Sequence, residues 1–195
     1  MLFDNSMYWM LNIQVLLKGV GNKINDSFLT DNKYPFRIEG ESNQVTGNTI
    51  DNISKGSTCV KVTEGSNIAI TNNIIMNCGI GIDVDESKVS ISNNTIQDVN
   101  QNGMQLLDAG ENTVIEGNAV KGTIGGSCYL VDGGITLNGN YCENATNHGF
   151  STSLATGTLT KNLIFTFNTF YYSFFKFKTY IILMFLTIIM MYLFP

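Results

Sequence analysis

Apolar and polar residues alternate along most of the chain in short segments that recur at intervals of 21 to 26 residues. In the segment SNIAITNNIIMNCGIGIDVDESKVSISNNTIQDV, an apolar–x–apolar pair precedes Asn-Asn, a further apolar residue follows two positions after the second Asn, and the arrangement occurs twice. Aligned on that Asn, the pattern recurs at Asn22, Asn48, Asn73, Asn94, Asn118, Asn140 and Asn162. Such alternation predicts short strands with one buried face, and the long period predicts stacked repeats.

Two repeat architectures share this core pattern, the leucine-rich repeat and the parallel β-helix. A leucine-rich repeat needs a further Leu eight positions before the Asn, where this chain has only Gly or acidic residues: Gly40, Gly65, Glu86, Gly110 and Asp132. After each bend a second short strand follows instead, predicted at Val60–Val62, Ile82–Val84, Met104–Leu106, Cys128–Leu130 and Phe150–Thr152. We therefore predict an all-β fold, a right-handed parallel β-helix built as a single-stranded solenoid of about seven coils.

The Asn at each bend has a structural role of its own. Asn tolerates a left-handed backbone better than most residues, and stacked side-chain amides can bond to the coils above and below. We therefore expect an internal Asn ladder along the solenoid.

The pattern divides the chain into three parts. Residues 1–40 are predicted to form an irregular N-terminal cap or partial coils, with an alternating stretch from Trp9 to Val15, and residues 41–164 to form the β-helix. Residues 165–195 are a hydrophobic tail without Gly or acidic residues. Three explanations of the tail stay open: a membrane anchor, an apolar cap after a last coil, or sequence translated out of frame. We also expect that the β-helix is incomplete.

Composition narrows the function classes. The formal net charge is -5 and the pI about 4.7, which argues against a sequence-independent nucleic-acid binder. The four Cys show no metal-ligand spacing, and we expect buried thiols. The N-terminal apolar run has no preceding Lys or Arg and is not predicted to be a signal peptide. For a chain of this kind we nevertheless expect an extracellular or cell-surface location, and contact with a membrane only through the tail.

The second strand of each coil carries the candidate chemistry. Its outward positions are predicted to be Lys61, Asp83, Gln105, Tyr129 and Ser151, with Asp85, Asp108, Asp132 and His148 nearby. Hydroxyl-rich sugars need many hydrogen-bond partners and a flat apolar ring face. We therefore predict polysaccharide binding by Lys61, Gln105, Tyr129 and Asp132, although an ordinary solvated face has the same composition. The oxygen ligands of Asp83, Asp85 and Glu86 are candidates for a Ca²⁺ site.

The repeats over residues 40–164 resemble the pectin-lyase-like superfamily of β-helix proteins. Within them, the segment GIGIDVDE from Gly79 resembles the G-Y-G-F-D-P-H-E segment of alginate (mannuronan) C5-epimerases, and Asn147-His148-Gly149-Phe150 resembles their R-H-G-F. This likeness implies catalytic roles for Asp83 and His148, although Ile80 stands where the family has its catalytic Tyr and Asn147 where it has Arg. The His-Gly segment is also similar to the G-H-G motif of polygalacturonases, whose paired Asp are replaced by Asn100-Gln101-Asn102.

Two functional hypotheses follow. The first is a β-helix module, structural or carbohydrate-binding, of a cell-surface or secreted protein. The second is a polysaccharide-modifying enzyme of the uronate epimerase or lyase type, with Asp83 and His148 in proton transfer and Lys61 on the substrate carboxylate.

Overall fold

The computed structural model describes residues 2–4, 7–9, 15–30, 36–51, 56–85, 88–153 and 157–165, and these residues are all-β. They form strands that we number β1 to β23 in chain order. The strands are Leu2–Asp4, Met7–Trp9, Leu16–Val20, Lys23–Asn25, Phe28–Thr30, Phe36–Glu41, Gln44–Thr46, Thr49–Asp51, Val60–Ser66, Ile68–Thr71, Ile74–Met76, Ile82–Asp85, Val89–Ser92, Thr95–Val99, Met104–Leu107, Val114–Glu116, Ala119–Thr123, Tyr129–Asp132, Thr136–Asn138, Tyr141–Ala145, Phe150–Ser153, Thr158–Thr160 and Leu163–Phe165.

Each strand from β1 to β20 pairs in parallel with the third strand after it, which is the connectivity of a β-solenoid. Sheet A runs β1-β4-β7-β10-β13-β16-β19-β22, and sheet B runs β2-β5-β8-β11-β14-β17-β20-β23. Sheet C runs β3-β6-β9-β12-β15-β18-β21. Each coil therefore contributes one strand to each sheet. Strands of all three sheets also occur before residue 41, in the part predicted as a cap or partial coils.

The core lies between the three sheets and is filled by one or two inward apolar residues from most strands. The inward column of sheet A contains Val45, Ile70, Ile91, Ile115 and Leu137, and that of sheet B contains Ile50, Ile75, Ile96, Val120 and Cys142. All of these side chains are fully buried. Outward residues alternate with them, so the period-two pattern of the sequence reports burial directly.

The predicted Asn ladder is present at the corner between sheets A and B. From Asn73 onward, each Oδ1 accepts the backbone N–H of the equivalent Asn in the preceding coil at 2.8–3.0 Å and its side-chain N–H at 2.9–3.0 Å. Each Nδ2 also donates to a backbone carbonyl of the preceding coil, as Asn94 does to Ile70 at 2.8 Å. The ladder comprises Asn48, Asn73, Asn94, Asn118, Asn140 and Asn162.

The left-handed backbone at this corner belongs to the residue before each ladder Asn. Asn72 and Asn93 have φ of 58° and 56°, and Gly47, Gly117 and Gly139 occupy the same place in other coils with φ of 63–69°. The two functions that the sequence suggested for one Asn are thus divided between neighbours: the first residue makes the turn, and the second makes the ladder.

The sequence alignment of Asn22 with the ladder was wrong. Ile24 pairs with Val45 in sheet A, so the residue below Asn48 is Ser27, whose N–H donates to Asn48 Oδ1 at 3.0 Å. Asn22 instead donates through its backbone N–H to Asn43 Oδ1 at 2.9 Å, at the corner between sheets C and A. The mistake arose because Ser replaces Asn in this coil and removes the marker residue.

The prediction of free thiols was also wrong, although the sulfur atoms are buried as expected. Cys59 and Cys78 form one disulfide and Cys128 and Cys142 another, each with a Cα–Cα distance of 5.8 Å. Cys128 directly precedes β18 of sheet C and Cys142 lies in β20 of sheet B, so this bond crosses the interior between two sheets.

The hydrophobic tail from residue 166 onward, including the stretch proposed as a membrane anchor, lies outside the described residues. Within the described ranges there is no helix that could span a membrane.

Candidate functional site on the outer face of sheet C

The outer face of sheet C carries most of the candidate site residues in one column. The strand register places Arg37, Lys61, Asp83 and Gln105 side by side on four successive coils, and then Leu130 and Ser151. Adjacent strands lie about 4.8 Å apart, so the column presents one side chain at each such step. Lys61, Asp83 and Gln105 are therefore neighbours, as the sequence predicted.

Lys61 is the centre of an ion-pair cluster. Its Nζ lies 3.1 Å from Asp83 Oδ2 and 3.2 Å from Asp85 Oδ2. The Asp83 side chain is only 7% exposed, whereas that of Asp85 is 44% exposed. Partial burial lowers the pKa of Lys61, but the hydrogen bonds and charges of Asp83 and Asp85 outweigh this and raise it above its ordinary value. Lys61 therefore remains a cation held by two carboxylates.

Gln105 extends this cluster into a continuous hydrogen-bonded run. Its Nε2 donates to Asp83 Oδ1 at 3.2 Å, and its Oε1 accepts from Asn102 Nδ2 at 2.9 Å. Asn102 Oδ1 in turn accepts the backbone N–H of Ser127 at 2.9 Å. Gln105 was predicted from the sequence as a site residue, and Asn102 was not. The position of Asn102, three residues before Gln105, could have indicated the contact.

Arg37, the only Arg of the chain, lies on the same face one coil before Lys61 and is ion-paired there. Its Nε lies 2.8 Å from Glu39 Oε1 and donates to Thr63 Oγ1 at 3.4 Å. Glu39 also receives Lys18 Nζ at 3.1 Å on its other oxygen. Lys18, Arg37 and Glu39 thus form one ion-paired group.

Tyr129 does not belong to the outer face, contrary to the sequence prediction. Tyr129 pairs with Met104 and Phe150, so it lies in the inward column, is completely buried and stacks on the Phe150 ring at 4.5 Å between centroids. Its hydroxyl donates to the carbonyls of Asn118 and Tyr141 at 3.0 and 3.1 Å, and burial raises its pKa. The predicted strand was displaced by one residue, which exchanges the two faces.

Asp83 and His148 are not brought together. Asp83 lies in β12, and His148 precedes β21, which is three strands further along sheet C. Three strand spacings correspond to about 14 Å, well beyond the reach of a shared proton transfer. His148 is exposed, and its backbone carbonyl accepts the N–H of Cys128. The pair predicted as catalytic therefore does not form one site in this structure.

The remaining predicted residues have other partners. Asp132 lies two strands beyond Asp83 in sheet C, and its Oδ1 accepts the backbone N–H of Asp108 at 2.6 Å. Of the predicted Ca²⁺ ligands, Glu86 lies outside the described residues, and Asp83 and Asp85 both contact Lys61. The described part of the chain contains no group of three or more His, Cys, Asp or Glu residues that could hold a metal ion.

Stacked parallel strands, a buried Asn ladder and inward apolar columns on all three sheets define the class as a parallel β-helix. A family model described as "Right handed beta helix region" matches residues 2–140, and the chain belongs to this right-handed β-helix family. No curated protein and no solved structure matches the chain significantly. The likeness to alginate C5-epimerases, and to the pectin-lyase-like superfamily in particular, thus finds no support beyond the shared β-helix.

Proposed function

We propose that this β-helix is a non-catalytic module that binds a neutral polysaccharide along the outer face of sheet C. The observation that carries the proposal is the connected run Asp85–Lys61–Asp83–Gln105–Asn102, which spans three successive coils. It offers carboxylate, ammonium and amide groups at the spacing of the strands, and a linear sugar chain presents hydroxyls that both donate and accept.

Charge favours a neutral ligand over a polyuronate. The cluster contains one cation, Lys61, and two carboxylates, Asp83 and Asp85, and the whole chain has a net charge of -5. A sugar carboxylate would therefore meet a negative surface, and the ammonium that would bind it is already paired. Hydroxyl groups carry no such penalty.

The geometry also supports binding without turnover. An acid or base catalyst must reach the reacting proton directly or through one water molecule. Asp83, the most buried carboxylate of the face, is held by Lys61 and Gln105, and His148 is about three strand spacings away. Lys61, Asp83 and Gln105 thus hold one another in place, and His148 is not part of their cluster.

The two disulfides support a secreted or cell-surface location. Disulfides persist in oxidising compartments and are rare in the cytosol. Both bonds are buried within the solenoid, Cys59–Cys78 and Cys128–Cys142. Such a location is also where a polysaccharide ligand is accessible.

Affinity electrophoresis tests the proposal with a panel of soluble polysaccharides: mixed-linkage β-glucan, galactomannan and xylan as neutral polymers, and alginate and polygalacturonate as polyuronates. We expect retardation by at least one neutral polymer and about tenfold weaker binding for Gln105→Ala, which corresponds to about 1.4 kcal/mol. Gln44→Ala, the same change on the outer face of sheet A, is the matched control. Retardation by polyuronates alone, or equal binding by the two variants, would contradict the proposal.

One observation favours the alternative, an epimerase or lyase: a nearly buried carboxylate, Asp83, lies 3.1 Å from an ammonium on an otherwise exposed face. A desolvated carboxylate beside a specific charge partner is a candidate for a functional site. Incubation with alginate and polygalacturonate, with and without Ca²⁺, tests it by product NMR. C5 inversion or chain cleavage that disappears in Asp83→Asn would establish the enzyme, and intact polymer would exclude it for these substrates.

A further inference from the structure

The outer face of sheet B carries an aromatic patch that the sequence analysis did not consider. In its last three strands, Ala119, Tyr141 and Leu163 form one outward column, and Lys121, Glu143 and Phe165 form the next. Tyr141 is half-buried, while Lys121 and Phe165 are exposed. We call Lys121, Tyr141, Glu143 and Phe165 the Tyr141 patch.

Contacts within the patch fix the phenol ring. The Tyr141 hydroxyl donates to Glu143 Oε2 at 3.0 Å, which prevents the ring from rotating freely out into solvent. Phe165 lies against it with 5.8 Å between ring centroids and an interplanar angle of 48°. Lys121 Nζ lies 5.8 Å from the centroid of the Tyr141 ring. The result is an oriented aromatic surface bordered by one cation and one carboxylate.

On the side of the ring that faces the preceding coil, the Lys121 ammonium lies over the ring, and the directly adjacent residues are small. The strand partner of Tyr141 there is Ala119, whose side chain is a single methyl group, and beyond it is Thr95. Lys121 is the long side chain on that side, and within the described ranges it makes no ion pair. A ligand that stacks on this face takes the place of the ammonium over the ring, and the flexible Lys121 side chain can then donate to it.

These features match one class of ligand. The apolar C–H face of a pyranose stacks on an aromatic ring, while its hydroxyls need donors and acceptors at the rim. Lys121 supplies donors, and Glu143 supplies a carboxylate oxygen beyond the one bonded to Tyr141. Their opposite charges cancel, so the patch as a whole favours neither an anionic nor a cationic sugar.

We infer that the Tyr141 patch is a second polysaccharide-binding surface, at which a neutral pyranose ring stacks on Tyr141 and hydrogen-bonds to Lys121 and Glu143. The ligand class rests on the proposed function, but the location does not: Tyr141 supplies a partly exposed aromatic ring, whereas Tyr129 of sheet C is directed into the core. Sheet C then contributes polar contacts and sheet B the stacking contact.

The test uses cellohexaose, mannohexaose and xylohexaose as probes in isothermal titration of the full chain. We expect Tyr141→Ala to weaken binding of the recognised hexasaccharide by about tenfold or more, because the apolar face of the sugar loses the aromatic ring on which it stacks. Tyr141→Phe keeps the ring and should stay within about twofold of the native affinity. Ile74→Ala, which removes another exposed apolar side chain of sheet B three strands away, is the matched control.

A second measurement does not depend on the stability of the Ala variant. The chain is labelled with 3-fluorotyrosine, and the ¹⁹F signal of Tyr141 is assigned from its absence in Tyr141→Phe. Addition of the hexasaccharide should shift that signal and leave the signal of the buried Tyr129 unchanged.

The outcomes separate this inference from the proposed function. If the hexasaccharide binds and neither Tyr141→Ala nor the Tyr141 signal responds, the inference is wrong and the proposal for sheet C stands. If no neutral hexasaccharide or polymer binds the native chain, the proposed function fails and the inference fails with it.

Discussion

The corner between sheets A and B repeats the same residue from coil to coil, whereas the outer face of sheet C has a different side chain on nearly every strand. At the corner, six Asn residues from Asn48 to Asn162 make the same bonds with nearly the same lengths. On sheet C the corresponding column reads Arg37, Lys61, Asp83, Gln105, Leu130 and Ser151.

This difference separates two demands on the chain. A ladder works only if each rung matches the next, so its residue type is set by the fold. An outward position contributes little to stability when it is exposed, so its residue type is free to serve recognition. Function is therefore expected in the individual outward residues of sheets C and B. Substitutions in the ladder should mainly lower stability, and substitutions on the outer faces should mainly weaken binding.

The largest effect is expected at the ladder. Asn94→Ala removes four buried hydrogen bonds, those from the backbone N–H and Nδ2 of Asn73 and those to Ile70 O and Asn118 Oδ1, and leaves the Asn73 backbone N–H without its acceptor. An unpaired buried group costs about 1–3 kcal/mol and the other lost bonds add to this, so we expect a loss of about 4 kcal/mol in the free energy of unfolding. Urea unfolding measures it, with the exposed Ser90→Ala as control within about 0.5 kcal/mol. An unfolding midpoint equal to that of the control would show that the ladder is dispensable.

The next effect concerns the bond that joins the two regions. Cys142 lies two residues after the ladder residue Asn140, and Cys128 directly precedes β18 of sheet C. Replacing both by Ala should lower the free energy of unfolding by about 3 kcal/mol, the value expected for a loop of about 15 residues. A reductant should destabilise the native chain by this amount more than it destabilises the doubly substituted chain, because it also breaks Cys59–Cys78 in both. A reductant that shifts the native and the doubly substituted chains equally would contradict a stabilising role for this bond.

The smallest effect is expected for the ion pair of sheet C and appears as a pH dependence. Because the pKa of Lys61 is raised in the folded chain, its contribution to stability is complete below pH 10.5 and is lost as the pH rises through the raised value. The ammonium is partly solvated, so the contribution is below about 1 kcal/mol. Unfolding of Lys61→Met and of the exposed Lys23→Met should therefore differ at pH 8 and converge at high pH. A difference that persists above the raised value would show that the charge is not its source.

Repetition also explains how much could be predicted from the sequence. The strands, the inward columns and the Asn ladder recur in coil after coil, so errors in single coils did not obscure them. The predicted strand register was wrong where the alternation was weak. Four apolar residues follow one another in Cys128-Tyr129-Leu130-Val131, and nothing in this segment alone shows which of them face inward. The stack of Tyr129 between Met104 and Phe150 decides it in three dimensions.

The candidate site was predictable only in part, because it depends on single contacts between coils. The column Lys61, Asp83 and Gln105 followed from the repeat alone. The ion pairs and the disulfides depend on side-chain directions, which a sequence pattern does not contain. The separation of Asp83 from His148 depends on the number of coils between them, which the pattern does not fix either. The Tyr141 patch was not predicted, because its residues lie on sheet B and the candidate residues were sought on the second strand of each coil, which belongs to sheet C.

The central claim is that the varied outer face of sheet C binds a neutral sugar chain without altering it. Isothermal titration of the native chain and of Gln105→Ala with the hexasaccharide that binds, followed by mass spectrometry and NMR of the recovered sugar, tests it most directly. The account predicts about tenfold weaker binding for Gln105→Ala and intact sugar in both samples. Equal affinity in the two chains, or a shortened or epimerised sugar after contact with the native chain, would contradict it.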